Sequence, residues 1–187
     1  MIRIGLILVL SFVFSLSSFS QNDEGRSNFG KDLYVGISGT YIYDSQNLYH
    51  KFHEFTFSTR VGMSFSKALV GGVQVLSIYI DGTHIDPEYF FVKGAYLQYD
   101  FLSKLKDRFY AELSYSYGDY CTCDGGDPYR VEGLSYIGLG VGGDLALGEK
   151  GFYVSGAFVT HYIVNDLEGK YNYNIYKIGL KYRISRR

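Results

Sequence analysis

The sequence is informative first for what it does not contain. It has no tryptophan, only two prolines and, beyond the N-terminal segment, no apolar run as long as a membrane-spanning helix requires. Its acidic and basic residues nearly balance, with a formal net charge of −1 over 187 residues. These absences argue against transmembrane helices in the rest of the chain and against nucleic acid as a partner.

The N-terminus has the organisation of a secretory signal peptide. Arg3 precedes an apolar run over residues 4–14, a Ser-rich stretch follows, and the sequence turns polar at Gln21. The run is too short to span a bilayer, which takes roughly 20 apolar residues. We therefore predict that residues 1–20 are a signal peptide cleaved after Ser20. No cysteine lies near that point, which excludes a lipidated N-terminus.

The remaining chain has the pattern of β structure. Residues 21–30 are polar and rich in Gly and Ser, and they are predicted to form a flexible periplasmic lead-in to a single domain over residues 31–187. In that domain aromatic and β-branched residues alternate with smaller or polar ones, which is typical of strands. The eight predicted strands are 31–43, 54–66, 68–80, 91–102, 107–118, 132–147, 150–163 and 173–184.

The connections between these strands alternate in length. The short ones are 66–67, 103–106 and 148–149, and the longer, polar ones are 44–53, 81–90, 119–131 and 164–172. Long loops at one end and tight turns at the other are typical of outer-membrane barrels, in which an even strand number returns both termini to the turn end. We therefore predict an all-β fold, an eight-stranded antiparallel up-and-down transmembrane β-barrel.

The two faces of the predicted strands differ in polarity. In six strands one alternating set is apolar or aromatic, and the opposite set holds charged residues among Ser, Thr and Gly. In the last strand, for example, Ile178 and Leu180 alternate with Lys177 and Lys181. Strands three and seven are ambiguous in this respect.

A period of two does not say which face points inward. A soluble lipocalin-like barrel would have a polar exterior and an apolar interior that holds a ligand. The membrane arrangement is favoured because Gly is concentrated in the polar set, as at Gly138, Gly140 and Gly142, and because aromatic residues of the apolar set lie near strand ends. We expect the apolar set to face lipid and the polar set to face the lumen.

With lipid outside, the charged residues must lie in the lumen. An outward Lys or Arg near the midplane costs roughly 2–4 kcal/mol. Buried charges need partners, and an eight-stranded barrel is just wide enough for side chains to fill it. The sequence therefore predicts a plugged lumen without an open pore. The predicted ion-pair network comprises Arg60, Asp100, Glu112, Asp144, Lys177 and Lys181.

Several segments carry a resemblance to a known family. They are the signal ending SSFSQ, Ser64–Leu76, Tyr136–Gly148 and Asn174–Ile184. With them the chain resembles the small eight-stranded outer-membrane β-barrel proteins, the class of the OmpA transmembrane domain and OmpX, in their Bacteroidetes-type versions. The resemblance implies residence in the cell outer membrane, contact with lipid and lipopolysaccharide, and delivery by the barrel-insertion machinery. One departure is that ISRR follows Tyr182, which leaves Tyr182 or Ile184 to act as the insertion signal.

The longest connection contains the segment YCTCDGGDPY, Tyr120–Tyr129. Two cysteines in an exported protein suggest oxidation, although a ring closed by Cys121 and Cys123 is small and strained. The sequence leaves three alternatives: a disulfide between them, reduced or externally paired thiols, and a metal pair with neighbouring aspartates. Zinc sites normally have four ligands at recognisable spacing, which this loop lacks, so neither a metal nor a cofactor is predicted.

Four histidines are the remaining candidates for chemistry. His50, His53 and His84 lie in or beside predicted loops, where the alternatives are solvated side chains and a shared metal or anion site at the rim. His161 raises an enzymatic alternative, because some eight-stranded outer-membrane barrels are lipid A deacylases with a His-x-Ser-Asn pattern late in the chain. Here Ile163 stands in place of the serine, so the nucleophile is missing and no catalytic residue is predicted.

The sequence thus predicts a structural or surface-interaction protein rather than an enzyme. Four polar, Tyr-rich loops would face the outside, and their amphipathic aromatic side chains suit contacts with an extracellular protein or another surface ligand. The same side chains would also suit interfacial anchoring. They are Tyr49, Tyr89, Phe90, Tyr120, Tyr129 and Tyr171.

Overall fold

The structure, a computed structural model, consists of β-strands. It describes residues 32–44, 52–82, 85–102, 107–122, 129–148, 151–164 and 172–185. The strands are β1 (Asp32–Asp44), β2 (Phe52–Ser64), β3 (Leu69–Gly82), β4 (Ile85–Asp100), β5 (Arg108–Thr122), β6 (Tyr129–Ala146), β7 (Phe152–Ile163) and β8 (Asn172–Ser185). The predictions for residues 1–20 and 21–30, for His50 and His84, and for the thiols of Cys121 and Cys123 lie outside the described residues.

The eight strands close into one antiparallel barrel. Each strand pairs with its neighbour in the sequence, and β8 pairs with β1 from Asp32 opposite Ser185 to Gly39 opposite Ile178. The prediction of an all-β, eight-stranded antiparallel up-and-down barrel is confirmed. We call the end at which β1 begins the turn end and the end at which β1 reaches Asp44 the loop end.

No helix in the described ranges is long and apolar enough to cross a bilayer.

Strand pairing extends further toward the loop end than the sequence predicted. β4 begins at Ile85, opposite Gly82, so most of the predicted connection 81–90 is strand. β5 and β6 likewise pair as far as Thr122 opposite Tyr129. A register shift accompanies each extension, and such a shift breaks the two-residue period by which strand ends were predicted.

Two connections at the turn end show why the chain reverses there. Ser66 Oγ accepts hydrogen bonds from the backbone N–H groups of Ala68 at 3.2 Å and Leu69 at 3.1 Å, which closes the β2–β3 connection. In the β6–β7 connection, Gly148 and Gly151 have φ angles of 75° and 77°, which other residues adopt only with strain. Both reversals are therefore fixed by residue type as well as by length.

The apolar set of side chains lies on the outer surface of the barrel. Ile178 is 73% exposed and Leu180 is 53% exposed, whereas Lys177 and Lys181 on the same strand are buried. The lipocalin-like alternative requires the opposite arrangement, with the apolar face inside. This structure does not fit it.

The structure also resolves the two strands of ambiguous parity. β3 directs Leu76 and Ile78 into the barrel, although its outward residues, such as Val73, are apolar as well. β7 directs Val159 and His161 inward. A strand that is apolar on both faces gives no alternation, which is why the sequence left β3 undecided.

Candidate functional site

Charged side chains meet in the half of the lumen nearer the turn end. Three ion pairs form there, and we call their members the ionic layer: Arg60, Asp100, Arg108, Glu112, Asp144 and Lys181. Arg60 on β2 and Glu112 on β5 form a two-pronged pair, with Nη1 to Oε2 and Nη2 to Oε1 distances of 2.7 Å. Because β2 and β5 are not neighbours in the barrel, this pair crosses the lumen.

The second pair is linked to the first through an amide. Lys181 Nζ lies 2.6 Å from Asp144 Oδ2 and 3.2 Å from Gln98 Oε1. Gln98 Nε2 donates to Glu112 Oε2 at 2.9 Å, so one glutamine connects two ion pairs. Ser155 Oγ donates to the other carboxylate oxygen of Asp144 at 2.7 Å. Each carboxylate therefore has more than one donor, as buried charge requires.

The third pair includes a residue that the sequence did not single out. Arg108, the first residue of β5, donates to Asp100 Oδ2 through Nε at 2.8 Å and through Nη2. The sequence placed Asp100 in the network with lysine or Arg60 as its partner. Arg108 precedes the outward Phe109, and this alternation is the signal by which it could have been found.

Tyrosine rings pack between the ion pairs. The guanidinium carbon of Arg60 lies 4.8 Å from the ring centre of Tyr96. Lys181 Nζ lies between two rings, 5.5 Å from the centre of Tyr34 and 5.2 Å from that of Tyr110. Attraction between a cation and an aromatic face adds to the attraction of the carboxylates. The ionic layer is therefore filled by rings as well as by charges.

Inward glycines make room for these rings. A Cβ atom at Gly142 would lie 2.6 Å from Cζ of Tyr110, and one at Gly62 would overlap the hydroxyl of Tyr96. At Gly36, by contrast, the nearest atom to a Cβ would be 3.6 Å away. The concentration of glycine on the polar face thus has a packing cause at two of these three positions.

Lys177 departs from the predicted pairing. It lies on the inner face of β8 and is 4% exposed, but its Nζ has no hydrogen-bond partner in the described part of the chain. The carboxylate of Glu112 is held by Arg60, and that of Asp100 by Arg108. Lys177 is therefore buried beside the ionic layer without being hydrogen-bonded to it.

An apolar cluster lies in the half of the lumen nearer the loop end, which also contains the buried side chains of Glu54, Thr56 and His161. The buried members of the apolar cluster are Leu76, Ile78, Ile80, Phe90, Val92, Leu134 and Tyr136. Ile163 packs against them. The sequence did not predict this cluster, because β3 is apolar on both faces and because Phe90 fell within a predicted loop.

The histidines that the structure describes lie apart from each other. His161 is 1% exposed and faces the lumen, so it is not presented to lipid. His53 lies near the loop end, where its Nδ1 is 2.7 Å from the hydroxyl of Tyr41. Within the described ranges, no three His, Cys, Asp or Glu side chains are placed to hold a metal ion.

These features define a class of protein by fold. A closed barrel of eight antiparallel strands, apolar outside and charged within, is the architecture of small outer-membrane barrels, as the resemblance in sequence implied. The N-terminal β-barrel domain of Pseudomonas aeruginosa OprF is similar, with a TM-score of 0.60 and 10% identity over 83% of this chain and 99% of that one.

A second solved structure supports the same fold. Neisserial surface protein A is similar with a TM-score of 0.56 and 16% identity, over 87% of this chain and 100% of that one. At these identities the similarity concerns the fold alone. No protein-family model and no curated protein matches the chain.

Proposed function

We propose that the protein is an outer-membrane β-barrel with a plugged lumen and a structural or surface-interaction role. The observation that carries this proposal is the inverted polarity of the barrel. Tyr176 and Ile178 are 68% and 73% exposed on its outer face, whereas Glu112 and Asp144 are 3% and 0% exposed inside it. An outer surface that is mostly apolar, with Lys93 on β4 as an exception, is unfavourable in water and favourable against lipid chains.

Aromatic side chains on the outer face support a membrane position. A row near the loop end crosses four strands, with ring-centre distances of 4.7, 6.3 and 4.8 Å between successive members Tyr41, Phe55, Tyr79 and Tyr89. Near the turn end, the rings of Phe152 and Tyr182 lie 4.4 Å apart. Aromatic girdles of this kind lie at the two membrane interfaces of outer-membrane barrels.

The proposed orientation places the turn end in the periplasm and the loop end outside. Asp32 and Ser185 lie at the turn end, which suits a chain exported by a signal peptide over residues 1–20 and entering the barrel through residues 21–30. The barrel-insertion machinery would act on β8, with Tyr182 or Ile184 as its signal. Membrane lipid and lipopolysaccharide would then surround the outer face.

The lumen is proposed to be closed by two layers in series. The ionic layer lies in one half, and the apolar cluster lies in the other. We therefore expect no steady conductance from the purified protein in planar bilayers. A stable open channel in that measurement would contradict the plugged lumen.

The proposed role lies at the loop end, in contacts with an extracellular protein or another surface ligand, and no cofactor is proposed. Catalysis is not proposed. The lipid A deacylase alternative needs a serine two residues after the histidine, and Ile163 stands there instead.

The proposal is tested by one experiment that shows both where the protein lies in the cell and whether its barrel is folded. We would express the whole chain in a bacterium with an outer membrane and compare boiled with unboiled outer-membrane fractions on a detergent gel. We expect the protein in that fraction, with a different mobility before boiling. Recovery in the soluble periplasmic fraction without a mobility shift would contradict the proposal.

A charged residue introduced on the outer face tests whether that face contacts lipid. Leu180→Lys should lower the free energy of unfolding by about 2–4 kcal/mol if Leu180 contacts lipid near the midplane. The matched control is Leu102→Lys, because Leu102 is exposed just beyond the turn end of β4. This substitution should lower the free energy of unfolding by only about 0–1 kcal/mol. Urea titration of the protein in bilayers measures both changes, and equal losses would contradict the lipid assignment.

A further inference from the structure

One buried lumen cation, Lys177, has no hydrogen-bonded carboxylate among the described residues. The buried carboxylates of the described strands are Glu54, Asp100, Glu112 and Asp144. Three of them are each hydrogen-bonded to a different cation of the ionic layer, and Glu54 accepts a hydrogen bond from Thr56 at 3.0 Å. No described carboxylate reaches the Nζ of Lys177.

A buried ammonium group without a partner is unfavourable. Lys177 is only 4% exposed, so its side chain does not reach solvent from this position. Arg60 and Lys181 lie on neighbouring positions of the lumen and add positive potential to the same space. An anion placed there would be attracted chiefly by Lys177, because the carboxylates of Glu112 and Asp144 offset much of the charge of Arg60 and Lys181.

Lys177 lines a cavity that has room for such an anion. The cavity measures about 30 Å³, and its other polar lining residues include Ser38, Arg60, Tyr96, Gln98 and Lys181. A volume of that size holds about two water molecules. It therefore has room for one monatomic anion.

We propose that this cavity binds a single halide ion, with the ammonium group of Lys177 as its principal ligand. Lys177 supplies an ammonium group without a hydrogen-bond partner among the described residues, and Ser38 and Tyr96, which carry hydroxyl groups, line the same cavity. Arg60 and Lys181 contribute positive potential while remaining paired with Glu112 and Asp144. The ion would be a local counter-charge for Lys177.

The test compares two sodium salts on the refolded full-length barrel in detergent, so it does not depend on where the protein resides in the cell. Bromide fits the cavity and gluconate does not. A ligand that binds only the folded state lowers the unfolding equilibrium constant by the factor 1 + [L]/Kd, which is about 11-fold at ten times Kd. We expect urea titrations to show this difference for the unaltered chain.

Two variants assign the effect to Lys177. Lys177→Met should abolish the difference between bromide and gluconate. The matched control Lys93→Met should keep it, because Lys93 is exposed on the outer face of β4, opposite Val75. A bromide effect that survives in Lys177→Met would overturn the assignment.

Anomalous diffraction from crystals grown in bromide locates the ion directly. We expect a peak beside Nζ of Lys177. Equal stability of the unaltered chain in the two salts, together with no such peak, would overturn the proposal. If Lys177→Met does not fold, these two measurements on the unaltered chain still decide it.

Discussion

The two halves of the lumen contain different kinds of side chain. Ion pairs lie in the half nearer the turn end, and the apolar cluster lies in the half nearer the loop end. In the ionic layer each buried charge depends on an opposite charge from another strand, as Arg60 depends on Glu112. In the apolar cluster the aliphatic side chains, such as Leu76 and Ile78, need no particular partner, and their volume matters most. Removing a member of the ionic layer therefore leaves an uncompensated charge, whereas removing a member of the apolar cluster leaves a cavity. The ionic layer therefore favours particular strand pairings, whereas the apolar cluster contributes mainly the burial of apolar surface.

The largest loss of stability is expected in the ionic layer. Glu112→Gln keeps the size of the side chain but removes the charge that lies 2.7 Å from the Arg60 guanidinium. We expect the free energy of unfolding to fall by about 4 kcal/mol, because an unpaired buried cation remains. Urea titration in detergent micelles measures the change. The double variant Arg60→Met with Glu112→Gln should lose less than Glu112→Gln alone, and an equal or larger loss would contradict the pairing.

A somewhat smaller loss is expected in the apolar cluster. Ile78→Ala should cost about 3 kcal/mol, since it removes buried methyl groups and opens a cavity at a position that is 1% exposed. The control is Ile178→Ala on the outer face, at a position that is 73% exposed, where mobile lipid chains refill the space. Urea titration of both variants in bilayers measures their free energies of unfolding. A larger loss of stability for Ile178→Ala than for Ile78→Ala would contradict the assignment of inner and outer faces.

The smallest loss of stability is expected from a variant that disturbs the packing of a tyrosine ring and leaves the ion pairs unchanged. Gly142→Ala leaves every ion pair intact but places a Cβ 2.6 Å from the ring of Tyr110, which should cost about 2 kcal/mol through overpacking. Gly36→Ala is the control, and with 3.6 Å of clearance its change should stay within about 0.5 kcal/mol. Equal unfolding midpoints for the two variants would show that Tyr110 moves aside without loss.

Much of the barrel could be predicted because its strands carry a clear period. Lys177 and Lys181 alternate with Ile178 and Leu180, so the face of β8 that bears charge follows from the sequence. The partners of those charges do not follow. That Glu112 meets Arg60 across the lumen depends on the register of all the strands between them, which no local pattern encodes.

The apolar cluster could not be predicted for a different reason. Leu76 and Ile78 on β3 face inward, while Val73 and Val75 face outward, and all four are apolar. A pattern without alternation does not distinguish the two faces. The packing of Tyr110 over Gly142 was likewise beyond the sequence, because it joins neighbouring strands whose register only the structure supplies.

The closure of β8 on β1 has a consequence for how the chain must be assembled. Asp32 of β1 lies opposite Ser185 of β8. The backbone N–H and C=O groups on the edge of β1 that faces β8 therefore have no partners until β8 has been made. A chain that stops after β7 is not a smaller barrel but an open sheet with two unpaired edges, each able to recruit another chain. Pairing of such distant segments is also slow to form. The barrel therefore cannot close until β8 has been made, and a chain that lacks β8 is prone to aggregate.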